Sequence, residues 1–326
     1  MDFRLTGDQR ALRADTRELL ARIWPGDAPR RAAAPDGDRP ELDRAVWRAL
    51  GKAGFFALRL PEAAGGAGLG LPEAVLAFEE AGRVLLPGPL VGTQLAAAAL
   101  PAAARGESAV AWLDGELVTW LDAADAVWDQ GAVRTRRADP GLWGGARPLR
   151  SVDPLTPVHR VSRASWTRTS VSGPAYDPAY DPVGALLTAA EQLGSAGRTS
   201  AMAVRHARER EQFGRPIGSF QAVKHLCADT LVRTELARSA VYAAAATGAC
   251  SDRRSGPDPV AVAGAKLLAD DAAVRNARDC LQIHGGMGFT WEADVHLHLK
   301  RAWLRARTHP TAAEAEEVCA GALGTG

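Results

Sequence analysis

The hydrophobic rhythm of the chain changes twice. Up to about residue 105, apolar positions recur every three or four residues in short blocks, the period of amphipathic helices. Ala11 to Ile23 is one block, and Thr6, standing before Gly-Asp-Gln9, is placed to cap it. Ala45 to Ala53 is a second, stopped by Gly54. Leu71 to Leu85 and Leu90 to Leu100 follow, divided by Pro87 and Pro89. Pro25 to Pro40 is rich in Pro, Gly, Asp and Arg and reads as a long loop. Leu60 to Gly70 is a glycine-rich turn. It is not a dinucleotide fingerprint, because a proline precedes its glycines and no strand feeds it.

Between Gly106 and Tyr180 the rhythm shortens. The apolar runs Ala109–Leu113, Leu117–Leu121, Ala126–Trp128 and Val158–Val161 alternate with Asp, Gly and Pro and read as strands of a small β domain. From Pro182 the helical period returns over long stretches. Val183–Glu209, Gln221–Thr247, Pro257–His284 and Ala293–Arg307 form a predicted four-helix bundle, with an extra helix over Ala312–Leu323. The expected architecture is mostly α with a small β domain: 1–105 helical, 106–180 β, 181–326 helical bundle.

A chain of 326 residues is long enough for two or three modest domains and a substantial core. Its net charge of +1 gives no overall bias toward nucleic acid or anionic membranes. Cys227, Cys250, Cys280 and Cys319 lack a CxxC spacing and sit in Ala-rich helical contexts, so buried free thiols are expected. No signal peptide and no bilayer-spanning apolar run is present, and a soluble cytoplasmic protein is expected.

Two segments carry chemistry. In Arg210-Glu-Gln-Phe-Gly-Arg-Pro-Ile-Gly-Ser-Phe-Gln221, an Arg and an aromatic stand three residues apart where a helical pattern breaks. In Leu281-Gln-Ile-His-Gly-Gly-Met-Gly-Phe-Thr-Trp-Glu292, a helix ends on a Gln followed by a Gly pair. A guanidinium and backbone opened by glycine suit a pyrophosphate, and Phe213 can stack on a purine. The plainer reading is two helix–turn–helix junctions with nothing bound. Arg205, Arg208, Arg210 and Arg215 are interleaved with Glu209 and Glu211, which favours a solvated or cofactor-facing surface over a nucleic-acid patch. His296 and His298 are two apart on a predicted helix, so they face differently and do not form a metal pair.

Together the two motifs resemble those of the acyl-CoA dehydrogenase family, and the order helices, β domain, helical bundle resembles that family over the full length. The resemblance implies FAD as cofactor. It implies that Arg210, Phe213, Gln282, Gly285 and Gly286 contact the FAD of a neighbouring subunit, with Gln221 near the adenosine end. Two family features are missing. Nothing between Gly106 and Tyr180 resembles the Thr-Glu-Pro-x-Ala-Gly-Ser-Asp loop that holds the flavin ring, and Pro148–Arg163 looks like only the end of the family's middle domain. The two locations of the family's catalytic Glu fall on Gly184 and on His309.

Glu191 lies two turns beyond Gly184, about 11 Å along the helix, and is a weak candidate for a displaced base beside the plainer reading of a helix–helix hydrogen bond. His309 is the other weak candidate, against an exposed His in a Thr-His-Pro turn. Glu292 reads as an N-terminal helix partner. The pattern resembles the shorter, base-lacking subunit of actinobacterial α2β2 dehydrogenases of steroid catabolism. That implies desaturation of a bulky acyl-CoA, a full-length homologue as partner, and an electron-transfer flavoprotein as acceptor. The alternatives are a non-redox homo-oligomeric scaffold or acyl-CoA binder, and a self-sufficient enzyme with a non-standard base.

Overall fold

Capping side chains set several helix starts. The computed structural model describes residues 4–33, 40–129, 131–138, 140–162, 181–250 and 256–324. Thr6 begins helix α1 (Gly7–Ile23) with a capping box: its hydroxyl accepts from Gln9 N, and the Gln9 side chain accepts from Thr6 N. Asp181 begins α8 (Pro182–Glu209) by accepting from Val183 N and Gly184 N, with Pro182 at the first helical position. Asp258 does the same for α10 (Pro259–His284). Thr311 and Glu314 form the capping box of α12 (Ala312–Leu323), whose bounds match the sequence pattern.

The remaining N-terminal helices are α2 (Ala28–Ala32), α3 (Arg44–Lys52), α4 (Leu71–Arg83), α5 (Leu90–Ala96) and α6 (Pro101–Ala104). Two differ from expectation. The Pro25–Pro40 stretch is not all loop: α2 forms in it because Pro29 falls in the first turn, where proline is tolerated, and because Ala28 and Pro29 are buried. Residues 34–39 of that stretch lie outside the described residues. The helix expected over Leu90–Leu100 stops at Ala96, because Leu100 is held extended before Pro101.

The β region runs β1 (Val110–Asp114), β2 (Leu117–Thr119), β3 (Ala126–Asp129), β4 (Ala132–Thr135), the short helix α7 (Pro140–Gly144), β5 (Ala146–Leu149) and β6 (Val158–Val161). These strands form one sheet in the order β4-β3-β1-β2-β6-β5, in which only β1 and β3 are parallel. The predicted strand over Leu117–Leu121 is cut short at Thr119, because Trp120 adopts φ 64° and turns the chain. Asp114 pairs with Leu117 across the Gly115–Glu116 hairpin, with Gly115 at φ 61°. The segment 163–180 lies outside the described residues.

After α8, a small hairpin of β7 (Glu211–Gln212) and β8 (Arg215–Pro216) leads into α9 (Gln221–Cys250), then α10 and α11 (Val295–Arg305). The helices before residue 105 and those after 181 share one apolar core. Leu20, Trp47, Phe56 and Phe78 meet Leu186, Leu193, Val241 and Ala273 in it. Alanine and glycine let the helices approach closely. A Cβ on Gly82 of α4 would lie 2.0 Å from Glu191 O, and one on Gly194 of α8 would lie 1.9 Å from Glu79 O. The sheet has its own cluster, built from Leu113, Val118, Val127, Leu142 and Val161.

Buried charges tie these layers together. Glu80 accepts from Arg13 and Arg17 of α1, and Glu79 accepts from Tyr242 Oη of α9 at 2.6 Å. Deeper in the bundle, fully buried Lys266 pairs with Asp270, which accepts from Gln192 Nε2 at 2.9 Å. Arg301 pairs with buried Asp153 and donates to Leu86 O and Leu155 O, fastening α11 to the segment before β6. Pairing offsets the desolvation of each charge, and removal of one partner leaves the other stranded.

Candidate functional site

The first motif is a short hairpin standing on the end of α8. Gln212 pairs with Arg215, so Phe213 and Gly214 form a two-residue loop, with φ values of 54° and 73°. Positive φ at both positions is the geometry of a type I′ turn, which glycine adopts freely and phenylalanine does not. The result is a phenyl ring 90% exposed. Phe220 meets it edge-on at 6.1 Å, and the Arg215 guanidinium lies 4.3 Å over the Phe220 ring. Arg210 caps α8 and is exposed, and its carbonyl accepts from Ile217 N at 2.8 Å. Gln221 opens α9 and is exposed.

The second motif ends α10. Gln282 is exposed in the last turn, Gly285 terminates the helix at φ 60°, and Gly286 follows in a 3-10 turn. Nothing lies within 4 Å of a Cβ built on Gly286, so no packing inside the chain calls for glycine there. Although 60 or more residues apart in sequence, the helix ends that carry the motifs meet. His206, whose carbonyl holds Arg210 N, stacks on His284, the residue before Gly285. His284 Nδ1 lies 2.8 Å from the Cys280 carbonyl, which fixes that nitrogen as the donor. Burial, together with His284 and Arg210, lowers the pKa of His206.

A second concavity lies between the sheet and the bundle. It is a cavity of about 90 Å³ between the start of α5, the ends of β1 and β2, α8 and α11. Trp112, Trp120 and Leu304 supply apolar wall, and Asp114, Glu191 and Arg305 supply charge. Glu191 is buried and accepts from Arg305 Nη2, the helix–helix bond of the plainer reading, while Arg305 Nη1 has no partner. Burial works against both charges: it pushes Glu191 above the usual carboxylate range and pulls Arg305 down to about 10. The guanidinium keeps its charge at neutral pH and holds the carboxylate.

The two family positions for a base are occupied in other ways. A Cβ on Gly184 would lie 2.9 Å from the Trp112 ring, so Trp112 fills the space that a longer side chain there would need. His309 is half-buried rather than exposed. Its Nδ1 lies 2.7 Å from Glu314 Oε2, and its backbone N donates to Asp114. Glu292 is exposed, and Asp294 rather than Glu292 takes the N-cap position of α11.

Asp114 is the cavity residue that sequence reasoning missed. Burial pushes its carboxyl up to about 6, opposed by the nearby His309. Its sequence signal was an Asp-Gly pair, which also marks an ordinary hairpin, and it serves as one here. His296 and His298 are both buried, and His298 Nδ1 lies 2.8 Å from Ser195 Oγ. Among the described residues no group of His, Cys, Asp and Glu is arranged to hold a metal. Among them, too, no helix is long and apolar enough to cross a membrane.

Comparison with known proteins agrees with this geometry. Residues 6–115 match the model of the acyl-CoA dehydrogenase N-terminal domain, and residues 182–323 match that of the C-terminal domain. The acyl-CoA dehydrogenase IpdE2 of Mycobacterium tuberculosis is 37% identical over 310 residues, covering 90% of this chain and 91% of that protein. The ChsE4–ChsE5 complex from Mycobacterium tuberculosis superposes with a TM-score of 0.83 at 24% identity, over 100% of both chains. A Tcur3481–Tcur3483 steroid dehydrogenase variant superposes at 0.78 with 23% identity, over 98% of both. These matches, on this helix–sheet–bundle frame, make the chain a member of the FAD-dependent acyl-CoA dehydrogenase family.

Proposed function

We propose that this chain is the base-lacking subunit of a heteromeric acyl-CoA dehydrogenase, completing the FAD site of a full-length partner that supplies the catalytic Glu. The observation that carries the reading is Phe213. Its ring is 90% exposed at a positive φ, on the same end of the bundle as Arg210 and the Gln282–Gly286 turn, with none of the described residues covering it. Such a ring gains from burial only when another molecule reaches it.

The residues fit one end of FAD and not the other. Arg210 offers a charged fork for the pyrophosphate, Gln282 offers amide donors, Phe213 offers a face for the adenine, and Gly285 and Gly286 leave room for close approach. Gln221, at the exposed start of α9, belongs to the adenosine side. The cavity beneath the sheet, at about 90 Å³, is far below the roughly 300–1,000 Å³ of pockets that enclose drug-sized ligands.

FAD held at the shared site would supply a hydride acceptor for the β-carbon of an acyl thioester whose α-proton a base removes. In the proposed assembly this chain's residues bind and orient the nucleotide end, and the partner holds the reacting atoms. An electron-transfer flavoprotein is the proposed acceptor. A bulky, steroid-type acyl group is the proposed substrate class, supported by the likeness to the steroid dehydrogenase.

A second reading keeps the chemistry in this chain. Asp114 favours it, since a cavity carboxyl with a pKa near neutrality suits a general base. Flavin stoichiometry tests the first reading directly. The chain alone is expected to purify without flavin, and the complex with a full-length homologue to hold about one FAD per heterodimer, by the design of a shared site. A stable yellow homo-oligomer with one FAD per chain would sink the heteromeric reading.

A further inference from the structure

A groove of about 520 Å³ runs along the bundle between α8 and α9, apart from the cavity beneath the sheet. Its floor is built of small side chains on one face of α8, Gly197, Ser200 and Ala201, and its apolar walls are Val204 and Leu231. Four guanidinium groups line it: Arg83, Arg205, Arg208 and Arg238. Arg238 is neutralised by Glu79 and Glu235. Among the described residues Arg83, Arg205 and Arg208 take part in no ion pair. Glu209 is the other carboxylate of the lining and leaves a positive excess. Arg83 is held below the usual guanidinium range by burial and by the approach of Arg17, Arg198 and Arg13, with Glu80 opposing. Beside the groove, α9 exposes Leu231, Val232 and Leu236 by more than half.

We propose that this groove is the docking site for an acidic, amphipathic segment of the partner subunit, and that its unpaired arginines favour a heteromer over self-pairing through this face. This docking role rests on the heteromeric reading. A small anion needs only the guanidinium groups. A charged rim beside an exposed apolar strip is the anatomy of a protein interface. A second copy pairing about a two-fold axis centred on the groove would set the same arginines against one another, because a contact at the axis places each residue near its own copy. Like charges face to face oppose association, and opposite charges speed and select it.

The test co-produces this chain with each full-length acyl-CoA dehydrogenase homologue encoded in the same genome. Heteromer dissociation is then measured for the unsubstituted chain and for the exposed pair Arg205→Glu/Arg208→Glu, with circular dichroism to verify folding. The expected result is tenfold or greater weakening in the double variant. Binding of the unsubstituted chain is expected to weaken further between 0.1 and 0.5 M salt. A heteromer of unchanged affinity in the double variant overturns the groove assignment alone. Failure of the unsubstituted chain to pair with any homologue overturns the heteromeric reading, and this one with it. Self-association of the isolated chain that the double variant abolishes would put a second copy in the groove and overturn the proposal. So would tight binding of inorganic pyrophosphate that the double variant loses while the heteromer survives.

Discussion

His206 and His284 stack face to face, with ring centroids 4.1 Å apart and planes 18° from parallel. One stands a helical turn before Arg210 and the other immediately before Gly285, so the stack joins the two nucleotide-type motifs through the helices that carry them. The two rings bring those helix ends together. Their role is to set the spacing between a guanidinium on α8 and an open backbone turn after α10.

Arg210 and Phe213 are expected to govern flavin retention without supporting the fold. Both are exposed, and a charge-assisted hydrogen bond contributes about 1.5–3 kcal/mol. Arg210→Ala should therefore weaken FAD retention by about ten- to a hundredfold in the complex, with the helical circular dichroism unchanged. Phe213→Ala should also weaken it, through lost stacking. Equal flavin content in Arg210→Ala and the parent complex would rule out the role assigned to the guanidinium.

The carboxylates of the cavity give the sharpest division between the two functional readings. If the partner supplies the base, Asp114→Asn, Glu191→Gln and His309→Ala should each leave the desaturation rate of the complex within a few-fold of the parent. General acid–base groups contribute about a hundredfold or more. A loss of that size in one variant, with FAD bound and the complex intact, moves the chemistry into this chain.

The crossing of α4 and α8 predicts a large effect from a single methyl group. Gly194→Ala would drive its Cβ against the Glu79 carbonyl, a backbone atom that cannot turn aside. Overpacking costs about 1–3 kcal/mol where side chains can yield, and the upper end or more is expected here. Gly264→Ala on α10 is the control. Nothing lies within 4 Å of its Cβ, and alanine's helix propensity should leave the protein as stable or up to about 1 kcal/mol more so. Thermal unfolding of both variants reads the difference.

His298 predicts an acid-sensitive core. Burial lowers its pKa from 6.5 to about 3, with Arg198, Arg301, Arg305 and Arg83 adding to the shift. Below pH 6.5 the unfolded chain takes up a proton that the folded chain refuses until about pH 3. The stability tied to this ring is therefore complete above pH 6.5 and lost as pH falls, by up to about 1.4 kcal/mol per pH unit. His298→Asn can keep a hydrogen bond to Ser195 and cannot take up that proton. Its unfolding free energy should fall less steeply between pH 6.5 and 4 than that of the parent. Parallel curves would exclude His298 as the source.

The helices were legible because their ends carry local chemistry: Thr6, Asp181 and Thr311 announce α1, α8 and α12 by hydrogen bonds that span three residues or fewer. The two motifs were legible for the same reason, since Arg210, Phe213 and the Gly285–Gly286 pair act where the helical period breaks. What pattern reading missed depends on distant partners. Lys266 and Asp270 look like a solvated pair on an Ala-rich helix, and only the backbone carbonyls of Arg305 and Thr308 and the amide of Gln192 make the position habitable. Asp114 reads as a turn residue until α8 and α11 close the cavity beside it.

Trp112 gives the missing base a history with a direction. A carboxylate restored at Gly184 would meet the indole at 2.9 Å from its first side-chain atom, with Leu95 at 3.2 Å behind it. Gly184→Glu alone thus requires the indole and Leu95 to shift, and a smaller residue at 112 makes room. Under the heteromeric reading proposed above, the Trp112 indole would hold the chain to its partner by a steric ratchet, and Gly184→Glu/Trp112→Ala is the pair of changes that would release it.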